Sequence, residues 1–413
     1  MVDLHGLRAD PAPSRASGRS PATPIPATVG PMGLEAHDLL AAARSTTGLD
    51  DFGDPSFRDG LDVLLAALAG ESALNDIGRL AHEALLGGYL QQRLRVADWY
   101  RRHPEIAQQR IGGPLFVTGL PRTGTTALSH LLAADPDTRS LAMWESQEPT
   151  PPPERATYAT DRRIAEADAR NAFFRGDPDF LRMYDGTATS PTENIDLLGQ
   201  HFATQHFEGM AHVPSYIRWW LGHDMVPAYR HHERVLKLLE WRCPPTRWFL
   251  KSPPDLCHLD AFCAVYPDAR IVWTHRDPAK VLASVCKLIF IVRRTQTDRV
   301  DLHELGREQL ALWSEAVRRG LAFRKAAGEA RFADVLMGNL VADPIATVAA
   351  LYDRVGLPLT AAAESAMQAW SDDHPQHKHG AMPYTLEEFG LSLDEVRDAF
   401  RDYTRHFDLR LED

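Results

Sequence analysis

The stretch Pro114–Thr126, PLFVTGLPRTGTT, joins an apolar strand-like run, Leu115–Val117, to a loop carrying Gly119, Pro121 and Gly124. Two threonines and a helix-forming run, Ala127–Ala134, come next. Backbone N–H groups in such a strand–loop–helix turn converge on an anion, and the helix N-terminus adds partial positive charge. The spacing matches the G-x-x-x-x-G of a phosphate-binding P-loop, yet Thr125 stands where that motif has lysine. A cation appears instead inside the loop, at Arg122. That displacement points to a phosphate binder other than a standard nucleoside triphosphatase.

Three further segments place cations where the same anion could reach them. Thr274–Ser284, THRDPAKVLAS, follows a predicted strand, so Arg276 falls at a strand end, where open α/β sheets bind ligands. Ser284 comes about two helical turns later and can face the same side if a helix starts near Pro278. An arginine with a hydroxyl suits a dianionic phosphate. Phe249–Pro253, FLKSP, ends another strand in a cation, Lys251. Lys378-His379-Gly380, ahead of Tyr384, sets two basic residues beside a glycine in a loop suited to phosphate capture.

Together these segments resemble the sulfotransferases that use 3′-phosphoadenosine 5′-phosphosulfate (PAPS), particularly the bacterial branch with a GLPRTGTT loop. The resemblance runs from about Leu34 onward and is strongest at Pro114–Glu154, Arg247–Ser284 and Lys378–Leu391. It implies that Arg122, Thr123, Gly124, Thr125 and Thr126 hold the 5′-phosphate and sulfuryl group. Arg276 and Ser284 would hold the 3′-phosphate, and Lys378, His379 and Gly380 would close over it. The reaction implied is transfer of a sulfuryl group to a hydroxyl of a lipid, glycan or small alcohol, releasing 3′-phosphoadenosine 5′-phosphate (PAP). No metal is expected: a sulfuryl group carries less charge than a terminal phosphoryl, so Arg122 and Lys251 would stabilise the bridging and leaving oxygens.

An acceptor hydroxyl needs a general base. Cytosolic sulfotransferases place a histidine two residues after the strand-end lysine, where this chain has Pro253. Other branches use a glutamate shortly after the phosphate-loop helix; Glu145 occupies that place and is the expected base, with Glu148 and Glu193 in reserve. Two alternatives stand beside this reading: a P-loop kinase or NTPase, disfavoured by the missing lysine, and a non-catalytic PAPS- or PAP-binding protein.

These residues need an α/β scaffold. Strand patterns at Leu115–Val117, Arg247–Lys251, Arg270–Thr274 and Arg331–Leu336 alternate with helical ones, which predicts a P-loop-like three-layer fold: a parallel sheet flanked by helices. Helical periodicity also marks Leu34–Arg44, Phe57–Leu68, Leu80–Tyr100, Ile345–Val355, Thr360–Trp370 and Leu393–Phe407. The organisation expected is a disordered tail over residues 1–32, a helical N-terminal block over 33–112, and a catalytic domain over 113–413. Within the last, 149–240 forms a helical insertion on the acceptor side. Its aromatics, Phe202, Phe207, Tyr216, Trp219, Trp220 and Tyr229, read mainly as core.

The 413 residues include 44% hydrophobic and 24% charged, ordinary for a globular protein, and the formal net charge of −11 argues against a general nucleic-acid binder. The four cysteines form no C-x-x-C pair, and the histidines (His231, His232, His374, His377, His379) match no zinc spacing. No window suits a membrane span and no signal peptide is evident, so the expected location is cytoplasmic, with association to a membrane surface left open.

Overall fold

The computed structural model describes residues 34–183, 186–374 and 382–412. Five strands form one parallel sheet: β1 (Leu115–Gly119), β2 (Thr138–Ser140), β3 (Arg247–Lys251), β4 (Arg270–His275) and β5 (Phe332–Leu336), in the order β2-β3-β1-β4-β5. Side chains alternate across it. Leu115, Val117, Phe249, Val272 and Val335 pack one face against Leu128, Leu132 and Leu351. Phe116, Leu250, Ile271 and Trp273 pack the other face with Phe262 and Leu256. Both faces are therefore covered by helices, which is why β1, β3 and β4 read as nearly unbroken apolar runs.

β3 and β4 flank β1, with Val117 opposite Lys251 and Gly119 opposite Thr274, so the loops after all three strands open at one edge. This is where a parallel sheet binds ligands. The predicted strands and helices are present, with shifted ends. The phosphate-loop helix begins earlier than expected, at Thr125, and runs to Ala134. Leu393–Phe407 divides at Phe400 into Leu393–Ala399 and Arg401–His406, and a 3-10 turn, Pro254–His258, precedes the helix Leu259–Val265.

Several elements carry no clear sequence pattern, among them β2 and one long helix. β2 is only three half-buried residues, Thr-Arg-Ser, with no apolar alternation; its pairing to β3 places it. The helix Leu302–Ala327 buries Leu305, Leu312, Trp313 and Val317 on one face.

The N-terminal helices Ala36–Thr47, Phe57–Gly70 and Asp76–Arg102 pack against the region between β2 and β3. Tyr89 Oη donates to Asp196 Oδ1 at 2.9 Å, and the buried Arg93 donates to the Gln200 carbonyl at 3.1 Å and the Asp54 carbonyl at 2.7 Å. Phe202, Phe207, Tyr216, Trp220 and Tyr229 are all buried, so these aromatics are core, while Trp219 is half-buried. Lys287, Arg293 and Arg294 are paired with Glu388, Glu208 and Asp177.

Candidate active site

Gly119 closes β1 with φ +139°, and a Cβ there would lie 2.5 Å from the Thr274 carbonyl oxygen and 2.7 Å from Thr274 Oγ1. Only glycine lets β1 and β4 approach this closely as the chain turns into the loop. Thr123 then pins the loop down. Its buried Oγ1 donates to the Leu120 carbonyl at 2.6 Å and lies 2.5 Å from Thr274 Oγ1. Its hydroxyl is used inside the fold, which leaves the backbone N–H as what Thr123 can offer an anion. Gly124, at φ +88°, caps the helix Thr125–Ala134. The first-turn N–H groups of Thr125 and Thr126 therefore lack intrahelical acceptors, and both residues line a cleft.

Arg122 adopts a left-handed backbone conformation, φ +64°, unusual for a non-glycine residue. Its Nε donates to Ser284 Oγ at 3.2 Å and its Nη1 to the Met183 carbonyl at 3.0 Å. Among the described residues no carboxylate bonds it, and burial pushes its guanidinium below the usual arginine range. Arginine nonetheless stays protonated. A half-buried cation with no carboxylate partner among the described residues thus sits beside a helix N-terminus.

Arg276 follows β4 directly. Its Nη1 donates to the Arg122 carbonyl at 3.4 Å, and its other two nitrogens hold Glu412. Asp277 does not pair with it; that carboxylate caps the helix Pro278–Arg293 by accepting from Ala279 N–H at 2.9 Å. The same helix carries Ser284, buried and in contact with Arg122. The structure therefore brings the first two motifs into direct contact. Arg122, Gly124, Thr125, Thr126 and Arg276 line a single cleft of about 1020 Å³, together with residues the sequence did not single out, such as Ser190, Trp370 and Glu412. Tyr384, close after the third basic segment, lines it too. Lys378, His379 and Gly380 lie outside the described residues. A second cavity of about 620 Å³, lined by His275, Asp334 and Arg354 among others, holds none of the residues expected to bind the nucleotide.

Glu145 is placed elsewhere. It is fully buried, ion-paired to Arg139 through Oε1, while Oε2 accepts from Tyr158 Oη at 2.9 Å and from Ala142 N–H at 3.2 Å. Arg139 in turn lies 4.7 Å from the Trp248 ring centre. Both carboxylate oxygens are engaged, and Glu145 does not line the cleft. Glu148 lies near Arg170, at 3.6 Å.

Glu193 follows the cleft-lining Ser190 and Pro191, is 26% exposed, and accepts from Lys251 Nζ at 2.8 Å. Lys251 is itself almost fully buried, 3% exposed. The next residue locks this segment to β3: Asn194 N–H donates to the Lys251 carbonyl at 3.2 Å, and its side chain donates to Asp255 Oδ2 at 2.9 Å. Ser252 Oγ donates to Asp255 Oδ1 at 2.9 Å. Burial drives Asp255 up to about 7 against the pull of those donors.

An open parallel sheet whose β1 turns through a glycine-containing loop into a helix, with no lysine in that loop, defines a P-loop-like class of fold. Within that class the sulfotransferase family profile matches residues 114–361, more than half of the chain, and the protein belongs to that family. Its structure is similar to that of sulfotransferase STF1 from Mycobacterium tuberculosis, with 35% identity over 89% of this chain and 98% of that one and a TM-score of 0.80. It is likewise similar to sulfotransferase STF9 from Mycobacterium avium, with 30% identity over 91% and 97% of the two chains and a TM-score of 0.83. No curated protein matches it significantly in sequence. Among the described residues no helix is long and apolar enough to cross a membrane.

Proposed function

We propose that the chain transfers a sulfuryl group from PAPS to an acceptor hydroxyl and releases PAP. The observation that supports this most is the Arg122 guanidinium, which lines the cleft without a carboxylate partner among the described residues. Withdrawing even part of a cation from water costs free energy that an arriving anion offsets. The loop fits such an anion: Gly119 and Gly124 keep side chains out of the turn, and Thr125 and Thr126 present first-turn N–H groups beside Arg122.

The bound donor supplies an electrophilic sulfur; the rest is the work of this chain's residues. Arg122 and the backbone N–H groups of Thr123 to Thr126 hold the 5′-phosphate and sulfuryl oxygens. Arg276 holds the 3′-phosphate, Ser284 acts by fixing Arg122, and Lys378, His379 and Gly380 close the same subsite. Lys251 neutralises charge on the oxygen between phosphorus and sulfur. Glu193, beside Lys251, accepts the acceptor's proton as the new O–S bond forms and the S–O bond to the 5′-phosphate breaks. The negative charge leaves on PAP. Glu193 takes this role in place of Glu145 because it is partly exposed and follows the cleft-lining Pro191 by two residues, whereas Glu145 is fully buried with both oxygens engaged by Arg139, Tyr158 and Ala142.

Thermal unfolding with PAP, and transfer of labelled sulfate from PAPS to hydroxyl acceptors (lipids, glycans and small alcohols), test the proposal. Saturation at about a hundred times Kd should stabilise the protein by about 2.7 kcal/mol. Greater stabilisation by ATP with Mg²⁺ would point instead to phosphoryl transfer. PAP binding without transfer to any acceptor would leave a nucleotide-sensing protein.

A further inference from the structure

The Arg276 guanidinium is occupied by the chain itself. Its Nε donates to Glu412 Oε1 at 3.1 Å and its Nη2 to Glu412 Oε2 at 3.3 Å, a two-pronged grip on one carboxylate. The remaining nitrogen, Nη1, turns inward to the Arg122 carbonyl. This fork geometry is the one arginine uses to bind phosphate. Glu412 lines the same cleft as Arg122, Thr125 and Thr126.

Two observations show that the contact is built rather than a side chain lying on the surface. The Glu412 backbone N–H donates to Asp277 Oδ2 at 2.7 Å, and Asp277 is buried and already fixed as the cap of the helix Pro278–Arg293. The segment is thus tied to the turn that carries Arg276. The Glu412 side chain, however, is 44% exposed, against 19% for Arg276. The backbone is anchored while the carboxylate can swing out to water.

We propose that Glu412 is a built-in competitor for the phosphate subsite at Arg276: its carboxylate occupies the fork when the cleft is empty and yields it to a 3′-phosphate. This rests on the donor reading above. A phosphate dianion and the carboxylate cannot take the same two N–H groups, so a 3′-phosphorylated nucleotide binds more weakly by the strength of the displaced pair. The competitor re-forms as product departs, which lowers retention of PAP. A nucleotide with a free 3′-hydroxyl has no phosphate for Arg276 and leaves the pair in place. The effect is modest because the pair is partly exposed; such pairs correspond to about two- to fivefold in affinity.

Calorimetric titration of the full chain with PAP and with AMP, for the wild type, Glu412→Gln and Glu412→Ala, tests this. Both substitutions should tighten PAP about two- to fivefold and slow its dissociation, with AMP affinity unchanged. Unchanged or weaker PAP binding in both variants would overturn the proposal, since Glu412 would then be neutral or would orient Arg276 productively. Equal tightening of AMP would also overturn it, by showing a general charge effect. If PAP bound none of the three proteins, the donor reading would fall first, and the proposal with it.

Discussion

Glu145 and Glu193 differ in what surrounds them, and that difference predicts opposite consequences of replacing them. Glu145 is enclosed with Arg139, and burial alone would weaken that arginine's charge, but its carboxylate neighbour outweighs this and holds it above the usual range. Removing one partner of a buried pair leaves the other uncompensated, so Glu145→Gln should destabilise the fold by about 3–5 kcal/mol, read by urea denaturation. PAP affinity should change little. Glu193→Gln should act mainly on turnover: kcat falls by about 10²–10⁴ with PAP affinity nearly unchanged, and stability drops less than in Glu145→Gln because Glu193 is partly exposed and glutamine can still accept from Lys251. A stable, inactive Glu145→Gln beside an active Glu193→Gln would reverse the assignment. Arg122→Lys keeps the charge but cannot bond Ser284 Oγ and the Met183 carbonyl through one fork, so it should weaken PAP by about tenfold or more in titration.

At the scale of elements, the site depends on strands ending level and on one turn being locked. Gly119→Ala would drive a Cβ into the Thr274 carbonyl from an unfavourable φ, separating β1 from β4. The expected cost is about 2–4 kcal/mol in urea denaturation, with loss of PAP-induced stabilisation. The turn after β3 is locked by Asp255. Burial raises its carboxyl from the ordinary 3.8 to about 7. A raised carboxyl pKa disfavours folding once the unfolded chain ionises. The penalty is absent below about pH 4, grows as pH rises, and levels off above about pH 7. Unfolding free energy of the wild type relative to Asp255→Asn should therefore decline from about pH 4 to about pH 7. A flat difference would show that Asp255 is ionised in the fold throughout.

Across the whole molecule, the N-terminal helices share a continuous apolar core with one face of the sheet. A Cβ on Gly78 would lie 2.2 Å from the Gln296 carbonyl oxygen, and Arg93 stacks 4.2 Å from the Phe57 ring centre while bonding the Gln200 carbonyl. Such contacts couple the helical block to the elements that carry the site. Calorimetry should then show one unfolding transition for both. Arg93→Ala should lower it by about 3 kcal/mol without splitting it, because a buried, hydrogen-bonded group is lost from the shared core. Two separate transitions would mean that the helices fold as their own unit.

Local chemistry was legible in the chain wherever neighbours in sequence are neighbours in space. The strand–loop–helix of Leu115–Ala134, the strands Arg247–Lys251 and Arg270–His275, and the strand-end position of Arg276 all follow from short-range patterns that backbone geometry must obey. β2 was not legible, because three half-buried polar residues acquire strand geometry only by pairing with β3. The same holds for choosing between Glu145 and Glu193. Both are glutamates near apolar or proline-rich turns, and only packing decides which one meets Arg139 and which meets Lys251. Glu412 carried no signal at all, since its partner Arg276 lies far away along the chain. Residue types and local spacing determined the family and the strand–loop–helix at the sheet edge. Which side chains reach it, and which are consumed in holding it together, depended on contacts between distant segments that exist only once the sheet and its helices have packed.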